Sequence, residues 1–154
     1  MEIERKFLVR ELPDLTGLAV KMIWQGYLTA MSAPVEVRVR VTAGGPARVT
    51  AKESVQGKGA VRLEEEAEVP ASLASMLQRA CGSQHLEKAR YLIPLGEQMA
   101  ELDVYTKPAK FPNVVEVEFS DVESASAFVP PAWFGDEVTG DDTYANRHIA
   151  ARSR

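Results

Sequence analysis

Apolar and charged residues alternate with a period of two along most of this chain. In an extended strand successive side chains point to opposite faces. A stretch such as Val35-Glu36-Val37-Arg38-Val39-Arg40-Val41 therefore has one apolar and one charged face, and no helical stripe. Eight segments follow this pattern, over residues 2–10, 20–29, 35–42, 48–53, 61–69, 86–94, 98–106 and 113–120. Turn residues separate them. Gly44-Gly45-Pro46 and Gln56-Gly57-Lys58-Gly59 read as hairpin loops, and Pro108 and Pro112 bracket another turn. Three stretches read as helices: 71–81, with Gly82 to close it, 122–128, ending before Pro130-Pro131, and 141–152, capped by Asp141. The expectation is a mainly β (α+β) single domain over residues 1–154. Eight strands are also the fewest that close into a barrel able to hold one small ligand.

The charged faces carry the chemical information. The first segment sets Glu2, Glu4 and Lys6 against Ile3, Arg5, Phe7 and Val9. Later segments align Arg38 with Arg40, then Arg48, Thr50 and Lys52, then Arg62, Glu64, Glu66 and Glu68. The last three align Lys88 with Arg90, Glu101 with Asp103, and Glu116 with Glu118. A sheet with one wet face accounts for any single strand. The set points elsewhere, because neighbouring charges on one face repeatedly share a sign, which is unfavourable unless an opposite charge sits there. Clustered Arg and Lys suit phosphate oxygens, and carboxylates two residues apart suit a hard divalent cation.

Counting sharpens this. Lys6, Arg38, Arg40, Lys52, Arg62, Lys88 and Arg90 are seven cations, set against the eight carboxylates Glu2, Glu4, Glu64, Glu66, Glu101, Asp103, Glu116 and Glu118. Two divalent ions would bring such a lining from about −1 to about +3, and a triphosphate of roughly −4 to −5 would nearly neutralise it. The pattern implies a polyphosphate site with metal.

The same residues resemble a known family. Glu2-Ile3-Glu4-Arg5-Lys6 resembles the ExExK signature of the CYTH superfamily, the triphosphate tunnel metalloenzymes. Gln25-Gly26-Tyr27-Leu28, Val37-Arg38-Val39-Arg40, Thr50-Ala51-Lys52, Arg62-Leu63-Glu64-Glu65-Glu66, Lys88-Ala89-Arg90-Tyr91, Glu101-Leu102-Asp103-Val104 and Val115-Glu116-Val117-Glu118-Phe119 resemble its later blocks in the same order. Val138-Thr139-Gly140-Asp141 with Tyr144 and Asn146 resembles its terminal helix. The resemblance implies an eight-stranded antiparallel barrel whose charged rows line a tunnel. It implies triphosphate binding by Lys6, Arg38, Arg40, Lys52, Lys88 and Arg90, joined by Arg62 of the charged row. Mg²⁺ or Mn²⁺ would be held by Glu2, Glu4, Glu116 and Glu118, with Glu64, Glu66, Glu101 and Asp103 as further acidic lining. Glu2, Glu4, Lys88 and Tyr27 would act in catalysis, Tyr27 as a tunnel tyrosine partnering Lys88.

Composition sets the remaining limits. The chain has 154 residues, 45% hydrophobic and 26% charged, with a formal net charge of −4. That is ordinary for one globular domain and unsuited to bulk nucleic-acid binding. No apolar run approaches the ~20 residues of a membrane helix. The start Met1-Glu2-Ile3-Glu4 is unlike a signal peptide, and Cys81 is the only cysteine, so a cytoplasmic setting is expected. His85 and His148 lack metal-ligand spacing and read as structural, Cys81 as a packed thiol, and Trp24 and Trp133 as packing residues. Gly57-Lys58-Gly59 lacks the spacing of a P-loop.

The leading reading is a metal-dependent hydrolase of a small triphosphate or polyphosphate, with inorganic tripolyphosphate as the expected substrate, because short loops leave little to recognise an organic moiety. A thiamine or nucleoside triphosphatase, an adenylyl cyclase of the related class and a non-catalytic polyphosphate-binding module are the alternatives. A homodimer is compatible with all of them.

Overall fold

The computed structural model describes residues 3–54 and 62–152; within these, Arg62 is described by its backbone alone. Its strands are β1 (Ile3–Val9), β2 (Ala19–Tyr27), β3 (Val35–Thr42), β4 (Ala47–Ser54), β5 (Arg62–Val69), β6 (His85–Leu95), β7 (Gln98–Lys107), β8 (Val114–Phe119) and β9 (Phe134–Glu137). The helices are α1 (Ala71–Cys81), α2 (Val122–Ala127) and α3 (Asn146–Ala151). All nine strands join one sheet in the order β5-β4-β3-β2-β6-β7-β8-β1-β9, with antiparallel pairing throughout.

The eight segments expected from alternation are the first eight strands, with ends shifted by a residue or two. Two features differ from the expected barrel. A ninth strand, β9, adds to β1 through the pairs Phe7–Glu137 and Val9–Phe134. It is only four residues long, too short to carry a readable period. The sheet also stays open, since β5 and β9 end the strand order and are not hydrogen-bonded to each other among the described residues. The molecule is a curled sheet rather than a closed barrel. The Gln56–Gly59 hairpin expected from sequence lies outside the described residues.

Apolar residues cluster on the outer face beneath α2 and at the α3 end of the concave face. Phe7, Ala100, Leu102, Val115, Val117, Phe119, Ala125 and Phe134 form one cluster between β1, β7, β8 and α2. Tyr27, Leu86, Tyr105, Val114, Ile149 and Ala150 form a second beneath α3. Burial of this surface is the main force holding the curl. Arg5, the charged residue on the apolar side of β1, ties the first cluster together. It pairs with Glu137 at 2.6 Å and donates to the carbonyls of Ala125 and Phe128.

The helix expected over residues 141–152 is broken in two. Asp141 caps a 3-10 turn at Asp142–Tyr144 by accepting from the Thr143 amide, and the extended backbone of Ala145 separates that turn from α3. The break swings Ala145, Asn146 and Arg147 towards the inner face. Cys81 is buried, and its thiol pKa is pushed up to about 11 by that burial, so packing is its role. Trp24 stacks on His85 at 4.8 Å, and Trp133 packs edge-on against Phe134 at 4.5 Å. No helix among the described residues is long and apolar enough to cross a membrane.

Candidate functional site

Strand parity brings the charged rows onto the concave face, and the register sets them opposite one another. Lys6 faces Glu116, and Glu4 faces Glu118. Tyr27 faces Arg38, and Gln25 faces Arg40. Glu36 faces Lys52, which in turn faces Glu64. Arg90 faces Asp103, Lys88 faces Tyr105, and Glu101 faces Glu116.

These side chains enclose a compartment of about 300 Å³ lined by Glu4, Lys6, Tyr27, Glu36, Arg38, Arg40, Lys52, Arg90, Glu101, Glu116 and Glu118, with Ala145, Asn146 and Arg147 at the α3 end. A second space of about 540 Å³ adjoins it towards the β3–β4 hairpin. Arg38, Arg40, Arg90 and Glu101 line both. The smaller compartment presents six cations, Lys6, Arg38, Arg40, Lys52, Arg90 and Arg147, and five carboxylates. Among the described residues the buried Nε of Arg38 has no hydrogen-bond partner. A buried donor without an acceptor is rare and unfavourable, and an oxyanion satisfies it.

Two networks hold the cations in place. Arg40 Nε donates to Gln25 Oε1 at 2.7 Å, and Gln25 Nε2 donates to the Tyr27 hydroxyl at 2.7 Å. Burial, with repulsion from Arg38 and Arg90, lowers the Arg40 pKa to about 10, so it stays charged at neutral pH. Arg90 forms the second network. Its Nε and Nη2 donate to Asp103 at 2.8 and 2.9 Å, and its Nη1 pairs with Glu101. Lys88 Nζ donates to Asp103 at 2.7 Å. Burial drives the Lys88 pKa down to about 8, against the pull of Asp103. Burial alone would raise Asp103, but the Lys88 and Arg90 charges outweigh it and hold Asp103 at about 2.

The acids gather on β1 and β8. Glu4 and Glu118 are direct cross-strand partners, an arrangement of like charges that is unfavourable alone. Burial pushes the Glu116 pKa up, but its interaction with Glu4 and the nearby Lys6 and Arg90 charges outweigh burial and lower it. Two carboxyl groups in contact need a proton or a cation between them. Oxygen donors in this setting fit a hard divalent ion. No three His, Cys, Asp or Glu side chains among the described residues already stand together as a metal cluster. Glu2, expected to complete the set, lies outside the described residues.

The structure redistributes several expected roles. Lys6, Arg38, Arg40, Lys52, Arg90, Tyr27, Glu4, Glu101, Glu116 and Glu118 line the compartment as anticipated. Lys88 and Asp103 do not; their side chains are 0% and 4% exposed and lie behind Arg90 as an ion pair. The expected Tyr27–Lys88 contact is absent among the described residues. Tyr27 bonds Gln25, while Lys88 sits 5.7 Å from the ring centre of Tyr105. Register accounts for the exchange, since Tyr105 is the cross-strand partner of Lys88. Glu64 pairs with Lys52 at 3.8 Å, and Glu66 lines the adjoining space, bound by Arg48 and Thr50. Arg62 opens β5, and its side chain is outside the description. Sequence reasoning missed Glu36, although it shares a face with Arg38 and Arg40, and it missed Arg147, whose approach depends on the break before α3.

No family model matches the chain. Individual proteins do. It is 40% identical over 150 residues to an inorganic triphosphatase of Nitrosomonas europaea, covering 97% of this chain and 96% of that protein. It is 32% identical over 150 residues to an inorganic triphosphatase of Acetivibrio thermocellus, covering 96% and 92%. A crystal structure of an inorganic triphosphatase superposes with a TM-score of 0.76 at 38% identity, covering 97% of this chain and 94% of the other.

Proposed function

This chain belongs to the family of inorganic triphosphatases, and from that premise we propose that it hydrolyses inorganic tripolyphosphate to pyrophosphate and phosphate in the charged compartment. On this reading it is a CYTH-type enzyme of the cytoplasm. The ordered CYTH-like motifs and the single buried cysteine support that assignment. The observation that carries the function is the meeting of six cations and five carboxylates in one small space, with the Arg38 Nε buried and unpartnered beside it.

Phosphoryl transfer asks a protein mainly for positioning and charge stabilisation. Arg38, Arg40, Lys52 and Arg90 grip the phosphate chain and offset the charge that develops on its oxygens as the bridging P–O bond breaks. Gln25 and Asp103 fix the guanidinium groups of Arg40 and Arg90 before substrate arrives, so little reorganisation accompanies the reaction. Lys88 acts through Asp103 as a positioning residue. Glu4, Glu116 and Glu118, with Glu2, would hold Mg²⁺ or Mn²⁺, which supplies charge neutralisation and a more acidic water when bound. A carboxylate of this acidic end takes the proton of the attacking water. Lys6 stands opposite Glu116 and donates to the Tyr144 carbonyl at 3.2 Å, which keeps the acidic end open to an anion. Among the described residues Tyr27 carries the one aromatic ring lining the compartment, so a nucleobase has little to stack on there.

The test is a substrate panel of tripolyphosphate, pyrophosphate, ATP and thiamine triphosphate, each with Mg²⁺ and with Mn²⁺. Tripolyphosphate is expected to release phosphate fastest. No phosphate release from any of them, or cyclic AMP as the main product from ATP, overturns the proposal.

A further inference from the structure

Arg147 reaches the compartment from α3 rather than from the sheet, and its guanidinium is only partly engaged. Nη2 donates to the Ala30 carbonyl. Nη1 stands 3.7 Å from the Glu36 carboxylate, an ion-pair distance but beyond a hydrogen bond. Nε is buried and has no partner among the described residues. The side chain is 17% exposed, so water does little to satisfy it. A planar fork with donors to spare, lining the same compartment as Lys6, Arg38 and Lys52, suits phosphate oxygens taken two at a time.

We propose that Arg147 is a substrate-binding residue that grips the phosphate group lying nearest α3, while Glu36 holds the guanidinium loosely in position until substrate enters. Because Ala145, Asn146 and Arg147 form the α3 end of the lining, this contact adds a grip that the strands alone do not provide. The long Glu36 contact is weak enough to be outcompeted by a phosphate oxygen, and Nε gains the acceptor it lacks. The inference rests on the triphosphatase reading and names a further residue of that same site.

The test compares wild type with Arg147→Ala, using tripolyphosphate and the preferred metal. The variant is expected to raise KM about ten- to one-hundred-fold with a smaller change in kcat, as loss of a charged hydrogen-bonded contact does. Millimolar guanidinium chloride is expected to restore part of the loss by filling the vacated position. A KM within twofold of wild type overturns the proposal. So does a raised KM that guanidinium leaves unchanged, which would assign Arg147 to holding α3. Should Arg147→Ala fail to fold, Arg147→Lys carries the test; it keeps the charge but loses the fork, and a wild-type KM there overturns the proposal equally. A wild-type protein that releases no phosphate sinks the triphosphatase reading instead, so the two failures are distinguishable.

Discussion

Gln25 holds Arg40 from across the β2–β3 pair: its side-chain oxygen accepts the Arg40 Nε proton at 2.7 Å, and Gln25 is itself fully buried. The same amide donates to Tyr27, so one neutral residue fixes a cation and a hydroxyl in the compartment. Gln25→Leu keeps similar bulk but strands both partners. It is expected to cost about 1–3 kcal/mol of stability and to lower tripolyphosphate turnover. Thermal unfolding alongside phosphate release checks both effects; unchanged values would show that Arg40 does not depend on this contact.

Asp103 carries two buried cations, Lys88 and Arg90. Asp103→Asn leaves Lys88 without a counter-ion and Arg90 with Glu101 alone, and breaking a buried pair in this way costs about 3–5 kcal/mol. The loss is measured by denaturant unfolding. The same contact predicts a pH response. The folded-state pKa of Asp103, about 2, lies below its ordinary value of 3.8, so its contribution is present above pH ~4 and is lost as pH falls towards 2. A melting temperature followed from pH 5 to pH 2 should fall for wild type more steeply than for Asp103→Asn. Parallel curves would contradict the assignment.

Gly26 stands where the ring of Trp24 and the Cys81 sulfur converge. A Cβ there would lie 2.5 Å from Trp24 and 2.7 Å from Cys81. Gly26→Ala must push the indole off its stack on His85, at a cost of about 1–3 kcal/mol. Thermal melting and tryptophan fluorescence report the two consequences. A variant as stable as wild type would show that the indole moves freely.

The acidic cluster predicts how metal and substrate bind together. Mn²⁺ with tripolyphosphate should raise the melting temperature more than either alone, because each offsets charge the other leaves. Glu118→Gln should weaken the Mn²⁺ effect most, since Glu118 faces Glu4 directly. An equal Mn²⁺ shift in wild type and variant would remove Glu118 from the proposed metal-holding set.

Parity made the sheet and most of the site legible in advance. Val37 and Arg38 must point to opposite faces in any strand, so the rows of Arg38 and Arg40 and of Glu116 and Glu118 follow from spacing alone. Depth within the face does not follow. Arg90 and Lys88 share a parity, yet Arg90 lines the compartment while Lys88 is swallowed behind it with Asp103. Cross-strand register decided the partner of Lys88, and one strand's sequence does not contain it. Arg147 was invisible for a different reason: its place depends on Ala145 being extended and on α3 crossing the end of the sheet. Short β9 lacked the length for a period, and its pairing with β1 is a tertiary matter.

On the proposed function, the opposed acidic and basic rows act on one triphosphate. Phosphate release from tripolyphosphate by wild type, Arg40→Ala and Glu4→Gln, each first verified as folded by circular dichroism, tests it most directly. Metal-dependent release is expected from wild type, with a loss of at least about a hundredfold in both variants, the scale of removing one preorganised charge at a transition state. Folded variants that release phosphate as fast as wild type would contradict it.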